Sequence, residues 1–221
     1  MKMNNYDDLE RVIGYTFKDK QLLSQALTHS SYANECGGES YERLEFLGDA
    51  VLELVVSDYV YKFHELNAGM LTKLRAALVS TDNLNKISTM LSIMQFVKKS
   101  RSLGTFSKKN SADIIESVIG AIYIDGGGDQ ARKFIQKFII IDDDNIRSVL
   151  SSCIDYKTKL QEDMQKVGKK FEYRVISSSG MDHEKIFECG LYIDEELVAQ
   201  AKGSSIRQAE EMCAKFYYDN N

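Results

Sequence analysis

Glu42, Glu45 and Asp49 stand three and four residues apart in the segment Glu42-Arg43-Leu44-Glu45-Phe46-Leu47-Gly48-Asp49-Ala50-Val51-Leu52. At about 100° per residue a helix gathers these acids into a sector of roughly 60°. Leu44, Leu47, Val51, Leu54 and Val55 then collect on the opposite side, and Phe46, Ala50, Leu52 and Val56 fill the flanks. The helix reads as apolar nearly all round, a setting in which carboxylates are seldom buried unless paired or bound to metal. A second pair, Asp113 and Glu116, brackets Ile114 and Ile115 and runs into the apolar SVIGAIYI. Either group alone reads more readily as a solvated helix face. Two such groups on apolar helices shift that balance, since side by side they would bring four or five carboxylates together. Such a donor set suits hard, octahedral Mg²⁺, with Mn²⁺ as a substitute, and not zinc, because neither His nor Cys is placed to join it. Like charges packed so closely raise one another's pKa, and a divalent cation removes that cost.

The elements that must carry these acids are helices. From residue 6 to about 148, apolar residues recur three and four apart in LLSQALTHSSY, LEFLGDAVLELVVSDYVYKF, LTKLRAALVSTDNLNKISTML and ADIIESVIGAIYI, with hardly any strand alternation. Gly126-Gly127-Gly128 is expected to end a helix as a left-handed cap, before a last amphipathic segment, ARKFIQKFII. Asp142-Asp143-Asp144-Asn145 marks a junction, although a turn fits those residues as well. Beyond residue 155 the pattern becomes α-β-β-β-α: YKTKLQEDMQKVG, then FEYRVISSS, KIFECGLYI and ELVAQAKG, then SIRQAEEMCAKFYY. The fold class expected is therefore an all-α domain over residues 1–148 followed by a small α+β domain over residues 155–221, its three-stranded sheet covered by two helices on one face.

Composition narrows the functional classes. The 221 residues hold 28 basic and 33 acidic side chains, a formal charge of −5, which argues weakly against a nucleic-acid partner unless local pattern answers it. No apolar run is long enough for a spanning helix, and MKMNNYDDLE turns acidic before a signal segment could form, so a cytoplasmic protein without a membrane partner is expected. Cys36, Cys153, Cys189 and Cys213 lie too far apart for a CxxC pair and read as buried or idle thiols. With no proline at all, turns must rely on Gly, Asn, Asp and Ser. His29 in LTHSS lacks a triad partner and reads as a packed or capping residue. The glycine run lacks the Lys-Ser/Thr of a phosphate loop, so no nucleotide cofactor is expected. Lys98, Lys99, Arg101, Lys108 and Lys109 read as a solvated cluster, with contact to an anionic partner the lesser reading.

ERLEFLGDA resembles the signature of the ribonuclease III family, and ALTHSSYANE, LTKLRAALV and ADIIESVIGAIYIDGG agree with it. The resemblance implies that Glu45, Asp49, Asp113 and Glu116 are the metal-binding carboxylates, with Asp49 and Glu116 central to catalysis and Glu42 an auxiliary acid. Two positions depart from the family pattern. Tyr41 replaces an Asn before the signature, and FHELNAGMLT puts Ala68 where a further acid is usual, which touches a secondary metal or substrate contact and not the central four.

The segments DYKTKLQE, GMDHEKIFECGLYI and GSSIRQAEEMCAK resemble a double-stranded RNA-binding domain, a module that reads A-form shape across two minor grooves and the phosphates between them. The likeness assigns Thr158, Gln161 and Glu162 on the first helix and His183 in the first loop to the minor grooves, and Arg207 at the last helix to phosphate. Ile206-Arg207 offers one cation where the family has a Lys-Lys pair, and residues 155–221 carry ten basic against thirteen acidic side chains, so weak binding is expected. Together these likenesses imply a homodimeric, Mg²⁺-dependent endoribonuclease that cuts double-stranded RNA by two-metal hydrolysis, leaves 5′-phosphate and 3′-hydroxyl ends, and processes ribosomal and other structured RNA. Two rivals stand beside this reading: a catalytically weak or inactive relative that only holds RNA, and a metal-dependent hydrolase of small nucleotides.

Overall fold

The computed structural model describes residues 6–141, 146–147, 149–151, 154–181 and 184–220. His183, Ser148, Cys153 and the Asp142–Asn145 junction therefore lie outside the described residues. Backbone contacts divide the chain into Met1–Cys153 and Ile154–Asn221.

The first unit is helical: α1 (Asp7–Ile13), α2 (Lys20–Ala26), α3 (Ser30–Cys36), α4 (Glu42–Val60), α5 (Ala68–Leu78), α6 (Thr81–Met90), α7 (Lys108–Gly126) and α8 (Gly128–Ile135), with a 3₁₀ turn at Ile93–Phe96 and a π-helical turn at Gln136–Ile140. Polar side chains do the punctuation that proline does elsewhere. Asp19, His29, Asn67, Ser80 and Ser107 each accept a backbone N–H from the first turn of the helix they precede, which satisfies an otherwise unpaired donor.

α7 is the central helix, buried almost without interruption from Ser111 to Ile122. α4 lies against it because two glycines let the backbones meet. A Cβ on Gly48 would sit 1.8 Å from the Glu116 carbonyl oxygen, and one on Gly120 would sit 2.2 Å from that of Leu44. This close crossing sets Glu45 and Asp49 opposite Asp113 and Glu116. The buried face of α4 is Leu44, Gly48, Val51, Leu52, Val55, Val56 and Val60, while Leu54 is 68% and Phe46 80% exposed. The helix that reads as apolar nearly all round is thus packed on one face only and carries an open apolar stripe of Phe46, Ala50 and Leu54.

α7 ends at Gly126, and Gly127 has φ 83° and ψ 176°. That is an extended, positive-φ linker directly into α8 and not the left-handed cap expected there. The Asp125 carboxylate beside it accepts hydrogen bonds from the Tyr15 hydroxyl (2.6 Å) and the amides of Lys18 (2.9 Å) and Asp19 (2.8 Å), tying the loop before α2 to the end of α7. Burial works against that charge, yet these donors hold Asp125 below the usual carboxylate range.

The second unit has the expected order: α9 (Tyr156–Val167), β1 (Phe171–Ser179), β2 (Ile186–Ile193), β3 (Glu196–Gly203) and α10 (Ile206–Asp219). The strands form one antiparallel sheet in the order β1-β2-β3. Cys189, Leu191, Ile193 and Ala199 pack with Tyr156, Leu160 and Met164 of α9 and Ala209, Cys213 and Ala214 of α10. Asp194 and Glu195, at φ 48° and 70°, make the tight turn between β2 and β3. Cys189 and Cys213 are buried as expected, whereas Cys36 is exposed. No helix of the described residues is long and apolar enough to cross a membrane.

Candidate metal centre and nucleic-acid surface

Glu45 from α4 and Asp113 and Glu116 from α7 each present a carboxylate oxygen within 4.8 Å of the others. They open into a cleft also lined by His29, Ser30, Tyr41, Glu42, Phe46, Asp49, Lys109 and Asn110. Asp113 is buried, Glu45 and Glu116 are half-buried, and Asp49 and Glu42 are exposed. Asp49 shares the cleft without joining the tight trio. Glu42 lies at the rim, where its carboxylate accepts the Ser40 hydroxyl at 3.1 Å.

The electrostatics follow from burial. Burial, then the charges of Asp49, Asp113 and Glu45, push Glu116 up to about 8 from the ordinary 4.5. Burial also raises Glu45, with Asp113 adding to it, and raises Asp113, where Lys109 and the Tyr41 hydroxyl partly offset the effect. Acids that resist ionisation for want of a counter-charge, gathered as an all-oxygen trio with no His or Cys among them, fit a hard divalent cation such as Mg²⁺ or Mn²⁺.

Several lining residues were not legible as such. Tyr41, noted only as a departure, is buried, and its hydroxyl donates to Asp113 Oδ2 at 3.4 Å. Lys109, read within a solvated cluster, faces the carboxylates, although its neighbour Lys108 does sit outside in an exposed pair with Asp82 at 2.8 Å. His29 is the capping residue expected, and it also forms part of the cleft. Asn110 completes the capping box of α7, a role the motif Ser107-Lys108-Lys109-Asn110 could have disclosed. Ala68 is exposed on the first turn of α5 and does not line the cleft.

In the second unit, Thr158, Gln161 and Arg207 lie along one groove with Lys157, Tyr173, Glu210 and Glu211. Glu162 is exposed outside that lining, and His183 is outside the described residues. The Thr158 hydroxyl donates to Asp155 at 2.9 Å, and Lys157 pairs with Glu210 at 2.6 Å between the two helices. Arg207 thus shares its groove with three acids, Asp155, Glu210 and Glu211, the local form of the unfavourable charge balance.

The chain thus joins a helical unit with a carboxylate cleft to a compact α-β-β-β-α unit. A family model described as ribonuclease-III-like matches residues 19–142, and a double-stranded RNA binding motif matches residues 156–216. Ribonuclease 3 of Listeria monocytogenes serotype 4a is 36% identical over 97% of this chain and 96% of its own length, and that of Campylobacter fetus is 38% identical over 96% of each. Among solved structures, the nuclease domain of ribonuclease III from Campylobacter jejuni, described for flexibility in a region involved in dimer formation, aligns with a TM-score of 0.58 at 40% identity, covering 61% of this chain and 96% of that one. The chain belongs to the ribonuclease III family.

Proposed function

We propose that the cleft between α4 and α7 is the active site at which this protein hydrolyses phosphodiester bonds in double-stranded RNA, with Glu45, Asp49, Asp113 and Glu116 as its working carboxylates and Glu42 as an auxiliary acid. Family membership makes the chain a double-strand-specific endoribonuclease. The observation that carries the residue assignment is the convergence of Glu45, Asp113 and Glu116 within 4.8 Å on the two closely crossed helices. A Mg²⁺ or Mn²⁺ ion held by these carboxylates would supply an activated water nucleophile and offset charge on the leaving 3′-oxygen. The chain's own part is to hold the acids in a rigid, partly dry setting and to admit the RNA backbone beside them. Water attack with loss of the 3′-oxygen gives 5′-phosphate and 3′-hydroxyl ends.

One cleft addresses one strand, so cutting both in a single encounter needs two copies. The open stripe of Phe46, Ala50 and Leu54 on the signature helix is suited to cover by a second copy, and the dimer-forming region described for the Campylobacter jejuni domain supports a homodimer. Residues 1–148 serve as the catalytic and dimerisation domain. Residues 155–221 serve as the RNA anchor through Thr158, Gln161, Glu162, His183 and Arg207, supported by the match to the double-stranded RNA binding motif. The substrates are ribosomal and other structured RNAs, processed in the cytoplasm. The test is cleavage of long duplex RNA with Mg²⁺ by the wild type and by Glu116→Gln: the variant should bind the duplex and leave it whole.

A further inference from the structure

The cleft has a second wall made of neutral donors. His29 precedes α3, and its Nδ1 accepts the Ser31 backbone N–H at 3.0 Å. A backbone hydrogen is fixed by the peptide plane, so Nδ1 must be bare and the ring proton resides on Nε2, an assignment made from the hydrogen bond. The Asn110 amide is oriented by the same reasoning. Its Oδ1 accepts the Ser107 N–H at 3.0 Å and the Ser107 hydroxyl at 2.8 Å, which turns Nδ2 the other way. That Nδ2 stands 3.5 Å from His29 Nε2.

A hydrogen-bonded pair offers one donor and one acceptor, whereas here the His29 Nε2–H and the Asn110 amide, one of whose two hydrogens meets the Tyr41 hydroxyl, converge on one space. The ring is also held in place, with Tyr41 edge-on at 5.6 Å and Phe106 tilted against it at 5.9 Å. Both donors line the same cleft as Glu45, Asp113 and Glu116, and Lys109 adds a positive charge there. An anionic oxygen with several lone pairs satisfies both donors at once. In an RNA nuclease the oxygen that must come within reach of these carboxylates belongs to the phosphate backbone.

We propose that His29 Nε2 and Asn110 Nδ2 form a donor pair that binds a non-bridging oxygen of an RNA backbone phosphate beside the carboxylate cluster. The inference rests on the nuclease reading above. Neutral donors suit this position because, unlike a second lysine, they orient the phosphate without competing with a cation for the carboxylates.

Asn and Gln separate the two ends of the imidazole. Asn at position 29 keeps an acceptor near Nδ1 for the Ser31 amide but has nothing in place of Nε2–H, whereas Gln reaches the distal position and gives up the cap. Cleavage of duplex RNA in Mg²⁺ by wild type, His29→Asn and His29→Gln is compared with thermal unfolding and with the Mg²⁺ midpoint. His29→Asn keeps the cap but gives up the ring packing on Tyr41 and Phe106, so it should melt somewhat below wild type, lose about tenfold in kcat/KM as expected for a hydrogen bond to a charged group, and keep its Mg²⁺ midpoint. His29→Gln should melt lower yet recover most of that kcat/KM loss. Asn110→Asp keeps both bonds from Ser107 and replaces the donor by an acceptor, so it should lose at least as much as His29→Asn even if the position-29 variants fold poorly. Long-range ¹H–¹⁵N spectra of the three histidines, assigned by His29→Asn, should show the Nε2–H tautomer at His29. Full kcat/KM in both His29→Asn and Asn110→Asp, or an Nδ1–H tautomer, would overturn the proposal. A wild type that does not cut duplex RNA would instead overturn the nuclease reading beneath it.

Discussion

Glu116→Gln should stabilise the metal-free protein, and the gain should grow with pH. The substitution exchanges one oxygen for nitrogen and removes a charge that the cleft disfavours. Folding moves the Glu116 carboxyl from an ordinary 4.5 to about 8, so the folded state prefers the protonated form. Its contribution is intact below pH 4.5 and is lost progressively as pH rises through 8. At 1.36 kcal/mol per pH unit the full loss would be about 5 kcal/mol, and solvent access to this half-buried group reduces that to about 2–3 kcal/mol. For a chain of this size each kcal/mol moves Tm by about 2–4 °C. Thermal unfolding in EDTA at pH 8.5 should therefore place the Gln variant about 5–10 °C above wild type, with the difference nearly closed at pH 5. Added Mg²⁺ should raise wild type more than the variant, because the cation offsets the charge that Gln lacks. A Gln variant that melts at or below wild type at pH 8.5 in EDTA would refute the claim that Glu116 is held in a charge-averse cluster.

Three further outcomes follow from packing and charge. Gly48→Ala forces a Cβ into the Glu116 carbonyl, so it should cost about 3 kcal/mol or more, shown by a lowered urea midpoint, and should abolish cleavage by spreading α4 from α7; a variant as stable and active as wild type would contradict the close crossing. Asp125→Ala removes the acceptor for Tyr15, Lys18 and Asp19 and should lower stability by about 2–3 kcal/mol while leaving the cleavage rate at 25 °C unchanged, with an unchanged Tm counting against it. A chain ending at residue 148 should cut duplex RNA at low salt but lose activity more steeply than the whole protein as KCl rises, since it lacks the phosphate contacts proposed for the second unit; equal activity of both at 150 mM KCl would show that residues 155–221 are not the anchor.

The helical periodicity of the first 148 residues and the α-β-β-β-α pattern of the rest were legible because most elements carry a periodic apolar face that packs into a core. The acidic pairs were legible for the opposite reason: Asp113 and Glu116 interrupt a helix that is otherwise buried from Ser111 to Ile122. What periodicity could not supply was the crossing of α4 and α7. Gly48 and Gly120 leave no apolar signal, yet their missing side chains bring the two acidic groups together. The exposure of Phe46 and Leu54 was not legible because an apolar residue on an open helix face looks the same in sequence as one in the core. His29, Tyr41 and Asn110 escaped because each already has a local task, as cap or packed ring, and only three-dimensional proximity adds them to the cleft. Asp49 lines the same cleft from an exposed position beside the trio, where its charge still reaches Glu116.

The most direct measurement is a cleavage time course on a long duplex RNA, with product ends mapped, for wild type in Mg²⁺, wild type in EDTA and Glu116→Gln in Mg²⁺. Only the first should yield fragments, and these should carry 5′-phosphate and 3′-hydroxyl ends on both strands. Cutting that persists in EDTA, or in Glu116→Gln at the wild-type rate, would contradict a metal-supported carboxylate site between α4 and α7.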